Sequence, residues 1–538
     1  MGSSKFDGLL IQLGTGKWNI FYFAIVCWYT FFLPGQILSV IFAAPSVSFT
    51  CVIPEGEADI APPQNSLESC KYMVNSSRSG GWEEKPCSEW NFDNTSDVTL
   101  TTEFQLVCGR SYFRSAYHGI FMLGNLFGPA IGGVISDRYG RRRVVISGGL
   151  LFSGLSLGLA FVHHFPLILT IRFLMGFCHL PTAYILALEI TEPKLRSYVG
   201  ILLALPWALG TMAYPGIAYI IRDWYWLQVT MALPLVFLLP AAWLLDESPR
   251  WLIVRGRHEE ALGIIQKAAR WNKVKLPPQA ELRGLMKDIQ LESKLAAGGG
   301  SANSLTEVER LHVDQTHEER DSKVSCLNKC GLCSTRYIRI VTFVMTFTFF
   351  VSSLVFYGLS LSAKNFSANV YIYIFLGGLA EVPAYSLTSI IVARFGRRLS
   401  LAVCFFFCGV SLIVLIITPT DISWMVILLA MVGKLGISSA GQMVYLYLSE
   451  LYPTEYRLQG LGTAILAQRI GSILAPLSVQ ILGPLAWWAP SVLMGILALL
   501  AGMATLFLPE TLGAILPDTL PDLEELFSKN KKRAAMVH

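Results

Sequence analysis

The sequence predicts an all-α membrane protein: twelve transmembrane helices in two pseudo-symmetric six-helix bundles. Three observations predict it. Of the 538 residues, 53% are hydrophobic and only 15% are charged, with a mean hydropathy of +0.51. A soluble chain carries roughly a quarter charged residues, so the deficit points to lipid as the solvent. Twelve apolar runs can be drawn along the chain, each about the 20 residues needed to cross a bilayer. Short charged motifs also occur twice. Asp137-Arg138-Tyr139-Gly140-Arg141-Arg142-Arg143 is answered by Ala393-Arg394-Phe395-Gly396-Arg397-Arg398, and Glu189-Ile190-Thr191-Glu192-Pro193-Lys194-Leu195-Arg196 by Glu450-Leu451-Tyr452-Pro453-Thr454-Glu455-Tyr456-Arg457. After the last apolar run of each half stand Glu247-Ser248-Pro249-Arg250-Trp251 and Pro509-Glu510-Thr511-Leu512-Gly513. Two related halves with short charged links describe a transporter that rocks about a central site.

The N-terminal bundle, residues 1–245, has runs at 20–44, 113–136, 143–163, 166–190, 197–221 and 224–245. The first starts too far into the chain, and lacks the small-residue cleavage site, for a removable signal peptide. A helical link covers 246–337. The C-terminal bundle, 338–508, has runs at 338–362, 369–392, 399–418, 422–448, 458–483 and 485–508, followed by a tail, 509–538. Arg138, Arg141, Arg142, Arg143, Lys194, Arg196, Arg394, Arg397, Arg398 and Arg457 fall on one side, with both termini and the link, and the short loops opposite have few basic residues. That side is expected to be cytoplasmic.

The loop 45–112 then lies outside. Cys51, Cys70, Cys87 and Cys108 read as two disulfides with three pairings open. Asn75-Ser76-Ser77 and Asn94-Thr95-Ser96 are glycosylation sequons in the same loop. Asn365-Phe366-Ser367 also fits but sits close to the membrane. In the link, Arg257–Trp271 and Glu281–Lys294 have amphipathic helical spacing, and 296–301 is Gly-rich. Cys326, Cys330 and Cys333 would need His312 or His317 to complete a zinc site. Their spacing fits free thiols or palmitoylation better, and no metal site is expected.

The acids in the repeated motifs suggest more than topology. Asp137, Arg141, Glu189 and Arg196 in the first half, with Arg397, Glu450 and Arg457 in the second, are expected to form an inner latch joining the halves when the site faces outward. Contacts of this kind form in one state and break in another. A plain positive-inside signal would explain the arginines but not the acids or their repetition.

Ionisable residues within spans are costly and therefore functional candidates. Arg469 lies twelve residues beyond Arg457, about 18 Å along a helix and near the midplane. Glu381 falls at a similar depth. Arg469 suits a substrate carboxylate, because its fork binds two oxygens. Glu381 would balance a substrate amine or hold Arg469 when the site is empty; a permanent Glu381–Arg469 pair is the structural alternative. Lys434 and Arg172 occupy matching places in the outer third and read as structural. Trp28, Trp207, Tyr214, Phe350, Tyr357, Tyr445 and Tyr447 lie within spans. Their faces suit quaternary ammonium groups, or simply helix packing. Gln442, one turn from Tyr445, is a polar candidate. Alignment of the repeats puts Asn125 opposite Glu381.

Gly133-Val134-Ile135-Ser136-Asp137-Arg138-Tyr139-Gly140-Arg141-Arg142 resembles the signature of the major facilitator superfamily. Glu247-Ser248-Pro249-Arg250-Trp251-Leu252, Glu450-Leu451-Tyr452-Pro453-Thr454 and Leu508-Pro509-Glu510-Thr511-Leu512-Gly513 resemble its organic cation, zwitterion and anion transporter family. Glu381-Val382-Pro383-Ala384-Tyr385 and Met443–Pro453 look most like the carnitine/organic cation branch. The cation members carry an acid where this chain has Arg469. Anion members tend to have a basic residue near Tyr385. The resemblance therefore implies a carnitine- or betaine-like zwitterion, held by Arg469 at one end and by Glu381, Tyr357 and Tyr445 at the other. It also implies sodium as a coupling ion, although no motif in the residues carries this.

The expectation is a plasma-membrane carrier, monomeric, working by alternating access. An organic anion exchanger, or a receptor-like member without transport, are the alternatives. An enzyme is not expected, since no nucleophile–base or metal constellation is visible. A net charge of +5 is too small to argue for nucleic acid, and no GxxxxGK[ST] motif suggests an ATP-driven pump.

Overall fold

The computed structural model describes residues 5–52, 60–61, 70–76, 81–92, 98–179, 181–297, 332, 334–363, 366, 369–418, 422–514 and 517–537. Asn94, Asn365, His312, His317, Cys326, Cys330 and Cys333 lie outside them. Among the described residues, eleven helices are long and apolar enough to cross a membrane. Spans one to six are Lys17–Ala43, Cys108–Tyr139, Arg141–Leu159, Phe165–Glu189, Tyr198–Ile220 and Trp224–Trp243. Spans seven to eleven are Arg336–Leu361, Val370–Phe395, Arg397–Val414, Ser423–Leu451 and Arg457–Leu482. The twelfth, Ala489–Thr505, is a shorter apolar helix of 17 residues. The apolar run 485–508 overstates it, because its two ends are spent on turns around Pro484 and Leu508.

Several spans of the first half are interrupted where proline falls. Span four consists of Phe165–Cys178 and Thr182–Glu189, with Pro181 at the N-cap of the second piece. Span five joins Arg196–Leu202 to Leu205–Ile220, which starts with Pro206 at its first turn. A prolyl ring has no N–H for the preceding turn, so the ladder breaks there. Spans ten and eleven of the second half are continuous over 29 and 26 residues.

The loop after span one is more than a disulfide knot. Phe49–Val52 pairs antiparallel with Glu89–Phe92, and Lys71–Ser76 is the middle strand between Ile60–Ala61 and Gly81–Pro86. Sequence reading gave this segment no strands. The disulfides are Cys51–Cys87 and Cys70–Cys108, so the two closed loops interleave. Asn75 lies in the central strand opposite Trp82.

The basic face is built by one device used twice. The Glu247 carboxylate accepts the backbone N–H of Arg141 at 2.7 Å and of Arg142 at 3.1 Å. Glu510 does the same for Arg397 at 2.8 Å and Arg398 at 3.1 Å. Each acid, placed after the last span of its half, thus caps the N-terminus of the third helix of that half. It satisfies orphan donors and meets the positive end of the helix dipole. Gly140 and Gly396 make the approach possible. Their φ values of +104° and +89° belong to a region that is essentially glycine's alone. A Cβ at either would also stand 2.2 Å from Glu247 Oε2 or 2.6 Å from Glu510 Oε2.

The link packs under the first half. Its helices Pro249–Val254, His258–Asn272 and Gln279–Ala297, with the N-terminal helix Lys5–Leu13, bury an apolar core that includes Phe6, Leu10, Ile253, Ile265 and Met286. The second half has a single terminal helix, Leu520–Val537, in the corresponding position.

Replacing Gly140 or Gly396 by Ala is expected to cost about 1–3 kcal/mol each. This would be read as a lower thermal-unfolding midpoint of the purified chain. An unchanged midpoint would disprove the clamp.

Candidate functional site

The halves meet along span two with span eleven and span five with span eight. Their recorded contacts crowd toward the disulfide-bearing face. Tyr371 of span eight stacks on Phe42 of span one at 5.2 Å and meets Tyr219 of span five edge-on at 5.4 Å. Ser115 of span two donates to the carbonyl of Pro476 at 3.3 Å and also pairs with Gln480. At the Gly378 crossing, span eight lies so close to span five that a Cβ would come within 3.0 Å of the Ala208 carbonyl.

At the basic face the charges pair within each half. Arg141 contacts Asp137 at 2.7 Å and Glu189 at 3.4 Å. Arg397 grips Glu450 through Nε at 2.9 Å and Nη2 at 3.0 Å, and Thr511 donates to the same carboxylate at 2.6 Å. Arg196 reaches Asp7 and the Thr191 carbonyl, while Arg457 reaches the Tyr452 carbonyl. No ion pair between described residues joins the halves. The contacts between the halves named above lie toward the disulfide face and the middle of the spans. In this conformation the members of the expected inner latch staple neighbouring helices of one bundle, and a latch between the halves remains the expectation for the state whose site faces outward. The physical reason is local, since each arginine begins a helix beside its own half's acid.

Between these faces lie the midplane residues. Glu381 is 1% exposed, and its partner is Lys434, not Arg469. The ammonium lies 3.1 Å from Glu381 Oε1 and donates to Ser360 Oγ at 2.7 Å and to the Phe356 carbonyl at 3.2 Å. It also sits 3.3 Å from the centre of the Phe356 ring. The Tyr385 hydroxyl donates to Glu381 Oε2 at 3.3 Å. The Trp207 indole of span five reaches the same carboxylate and packs on Ala384 and Tyr385. This correction has a simple cause. Helix rise gave Lys434 its depth, but its side chain is long enough to reach a carboxylate that lies nearer the midplane.

Arg469 is left without a counter-charge. It is half-buried, and no described residue accepts a hydrogen bond from its guanidinium. Its field reaches Tyr357, Tyr445 and His179. Tyr445 is 40% exposed, donates to Gln468 Oε1 at 2.7 Å and packs edge-on against Phe349. The charges of Arg469 and Glu381 also act on Tyr357, whose ring centre lies 5.5 Å from that of His118. Gln442 is half-buried one turn before Tyr445. Asn125 is buried and faces His179, with Oδ1 3.4 Å from Nδ1. The structure thus gathers Arg469, Tyr357, Tyr445 and, through His179, Asn125.

Tyr214 does not belong to this group. It is 2% exposed and packs edge-on against Phe42 at 5.2 Å, within the core of the first half. Facing inward from a span places a residue near the bundle axis, and this one is sealed there by span one. Arg172 is sealed as well, with its guanidinium 4.2 Å from the Tyr117 ring centre and donating to the Gln36 carbonyl at 2.9 Å. Tyr447 is likewise structural, donating to the Pro509 carbonyl at 2.6 Å. Sequence reasoning missed His179. An ionisable residue two places before a mid-span proline was the available signal.

Lys434→Met would leave Glu381 buried and unpaired, for an expected loss of roughly 3–5 kcal/mol of stability. The double variant Glu381→Leu/Lys434→Met should recover most of it. Arg469→Gln should leave the thermal midpoint unchanged, since it breaks no contact. A midpoint for Lys434→Met equal to wild type would exclude the pair.

Residues 92–519 match the sugar (and other) transporter family. The organic cation transporter protein of Drosophila melanogaster is 32% identical over 85% of this chain and 80% of its own. Human organic anion transporter 3 is 32% identical over 83% and 78%, and human organic cation/carnitine transporter 2 is 33% identical over 82% and 75%. Among solved structures, an inward open conformation of the xylose transporter XylE from E. coli superimposes with a TM-score of 0.59 at 16% identity, over 97% of this chain and 98% of that one. XylE bound to 6-bromo-6-deoxy-D-glucose gives 0.56 at 17% identity, over 98% and 100%. These likenesses show the fold, and the relatives are membrane transporters rather than enzymes. With its duplicated helix clamps and central arginine, the chain belongs to the major facilitator superfamily, in its organic cation and anion transporter family.

Proposed function

We propose that the chain carries small organic anions with a carboxylate group across the plasma membrane by alternating access, and that Arg469 binds the carboxylate. One observation carries this reading. The two acid–base partners expected to share a substrate are not equivalent: Glu381 is neutralised by Lys434, while Arg469 has no acid partner among the described residues. The central site therefore has a net positive charge available to a ligand. A guanidinium in this setting favours a planar carboxylate by two parallel hydrogen bonds. Tyr357, Tyr445 and His179 would line the same ligand, with Gln442 and Asn125 at its edges.

A carnitine-like zwitterion is the second reading. Its carboxylate would use the same arginine, and its ammonium would rest on the Tyr357 and Tyr445 rings. Likeness to both an anion transporter and a cation/carnitine transporter supports either. In both readings the basic face is cytoplasmic, by the bias of short-loop arginines. The disulfide-bearing loop then faces outside, where Asn75 and Asn94 accept glycans.

Uptake into cells should be measured for an aromatic monocarboxylate, a dicarboxylate, carnitine and tetraethylammonium, with and without sodium. The expected result is saturable carboxylate uptake, no tetraethylammonium uptake, and a loss of about 10–100-fold in carboxylate uptake for Arg469→Ala, the order lost with a charge-assisted pair. Carnitine uptake with the same Arg469 dependence would select the second reading, and a sodium requirement would add the coupling ion. Full carboxylate uptake by Arg469→Ala at normal surface expression would rule out both.

A further inference from the structure

The duplicated architecture leaves one position unequally filled. In the first half, the basic ends of spans one, three and six are covered by the chain itself. Trp18, Tyr22, Val145 and Leu245 pack there against the link helices and Lys5–Leu13. Lys267 neutralises Asp246 at 2.8 Å, and Arg142 Nη2 donates to the Trp243 carbonyl at 2.9 Å.

The same place in the second half, at the basic ends of spans seven, nine and twelve, is a groove of about 1510 Å³. Leu520–Val537 borders it through Phe527, which packs on Tyr337 at 4.7 Å. Arg336, Arg339 and Arg398 line the groove. None of the three has a carboxylate partner among the described residues. Glu510, beside them in the chain fold, spends its oxygens on the N–H groups of Arg397, Arg398, Thr511 and Leu512. Beyond the arginines the walls turn apolar. Phe343 and Phe507 stand 72% and 74% open on the outer surface of the bundle. The groove therefore runs from a cationic mouth at the membrane interface to an apolar slot along the bilayer.

We propose that an anionic phospholipid occupies this groove, its headgroup phosphate on Arg336, Arg339 and Arg398 and its acyl chains along Phe343, Met503 and Phe507. Charge complementarity selects the headgroup: three guanidiniums offer forked donors and no acid competes for them. The apolar continuation selects a lipid over a soluble anion. A basic pocket between spans on the arginine-rich side is where anionic headgroups are recognised. In the orientation proposed above, this is the inner leaflet. The lipid would do for the second half what the link does for the first, holding the ends of spans seven, nine and twelve together.

The test is native mass spectrometry of the purified, delipidated full chain, titrated separately with phosphatidylinositol 4-phosphate, phosphatidylserine and phosphatidylcholine. Preferential retention of the two anionic lipids is expected. Arg336→Gln and Arg339→Gln, both on the open helix surface, should weaken that retention roughly fivefold each. Arg398 is kept, because its backbone belongs to the clamp. A thermal scan of each variant without lipid confirms that it is folded, and the anionic lipids should raise the midpoint of wild type more than that of the double variant. Equal retention of phosphatidylcholine, or full retention by a folded double variant, would overturn the proposal. Displacement of the lipid by free inositol phosphate at comparable concentration would overturn it in favour of a soluble anion.

Discussion

A single buried ion pair sets the character of the transport site. Glu381 and Lys434 meet at 3.1 Å with both side chains out of solvent. Neither charge is tolerable alone in that setting, and the hydrogen bonds from Tyr385 and to Ser360 make the pair acceptable there. The pair ties spans seven, eight and ten into one block and receives Trp207 from the opposite half. It also removes the only midplane carboxylate identified in the sequence from competition for Arg469. The uncompensated positive charge of Arg469 follows from that removal.

The second organising device is the acid clamp at the basic face. Glu247 and Glu510 bind backbone, whereas Glu189 and Glu450 bind arginine side chains. Each half therefore has a rigid end whose geometry is fixed by groups of that half. Rigid ends suit a carrier whose halves rock as bodies. The contacts named here that cross between halves are aromatic stacking, hydroxyl hydrogen bonds, glycine-permitted packing and the Trp207 indole on Glu381, whose charge stays paired with Lys434. All can be broken without exposing an unpaired charge.

Much of this was legible in the sequence because hydropathy, motif duplication and loop charge each report on one dimension: depth along the membrane normal. The spans, their pairing into halves, and the depth of Arg469 and Glu381 all live on that axis. What the residues did not disclose is azimuth. Which basic residue faces Glu381, that Tyr214 is sealed by Phe42, and that Arg141 turns to Glu189 of its own half all depend on helix rotation and packing. The spacing of apolar residues encodes rotation weakly when most of a helix is apolar. The short strands of the outer loop were missed for another reason. Their pairing is held by interleaved disulfides, and segments of two to six residues are too short for an alternating pattern to stand out. Duplication shows in the contacts as well, since the matching motifs form matching staples within each half in this conformation.

The unpaired guanidinium has an electrical side. Arg469 is a permanent charge carried on the moving second half, at a depth where the transmembrane voltage drops. A full crossing of one charge is worth about 2.3 kcal/mol per 100 mV, and even a fraction of that biases a two-state carrier. With its site empty, the rocking of the halves shifts this charge within the field, so voltage favours one facing over the other. In the proposed function a bound carboxylate would cancel it, and the loaded carrier would move with little electrical work. An arginine that recognised the ligand would thereby make the empty and the loaded steps of the cycle respond differently to membrane potential.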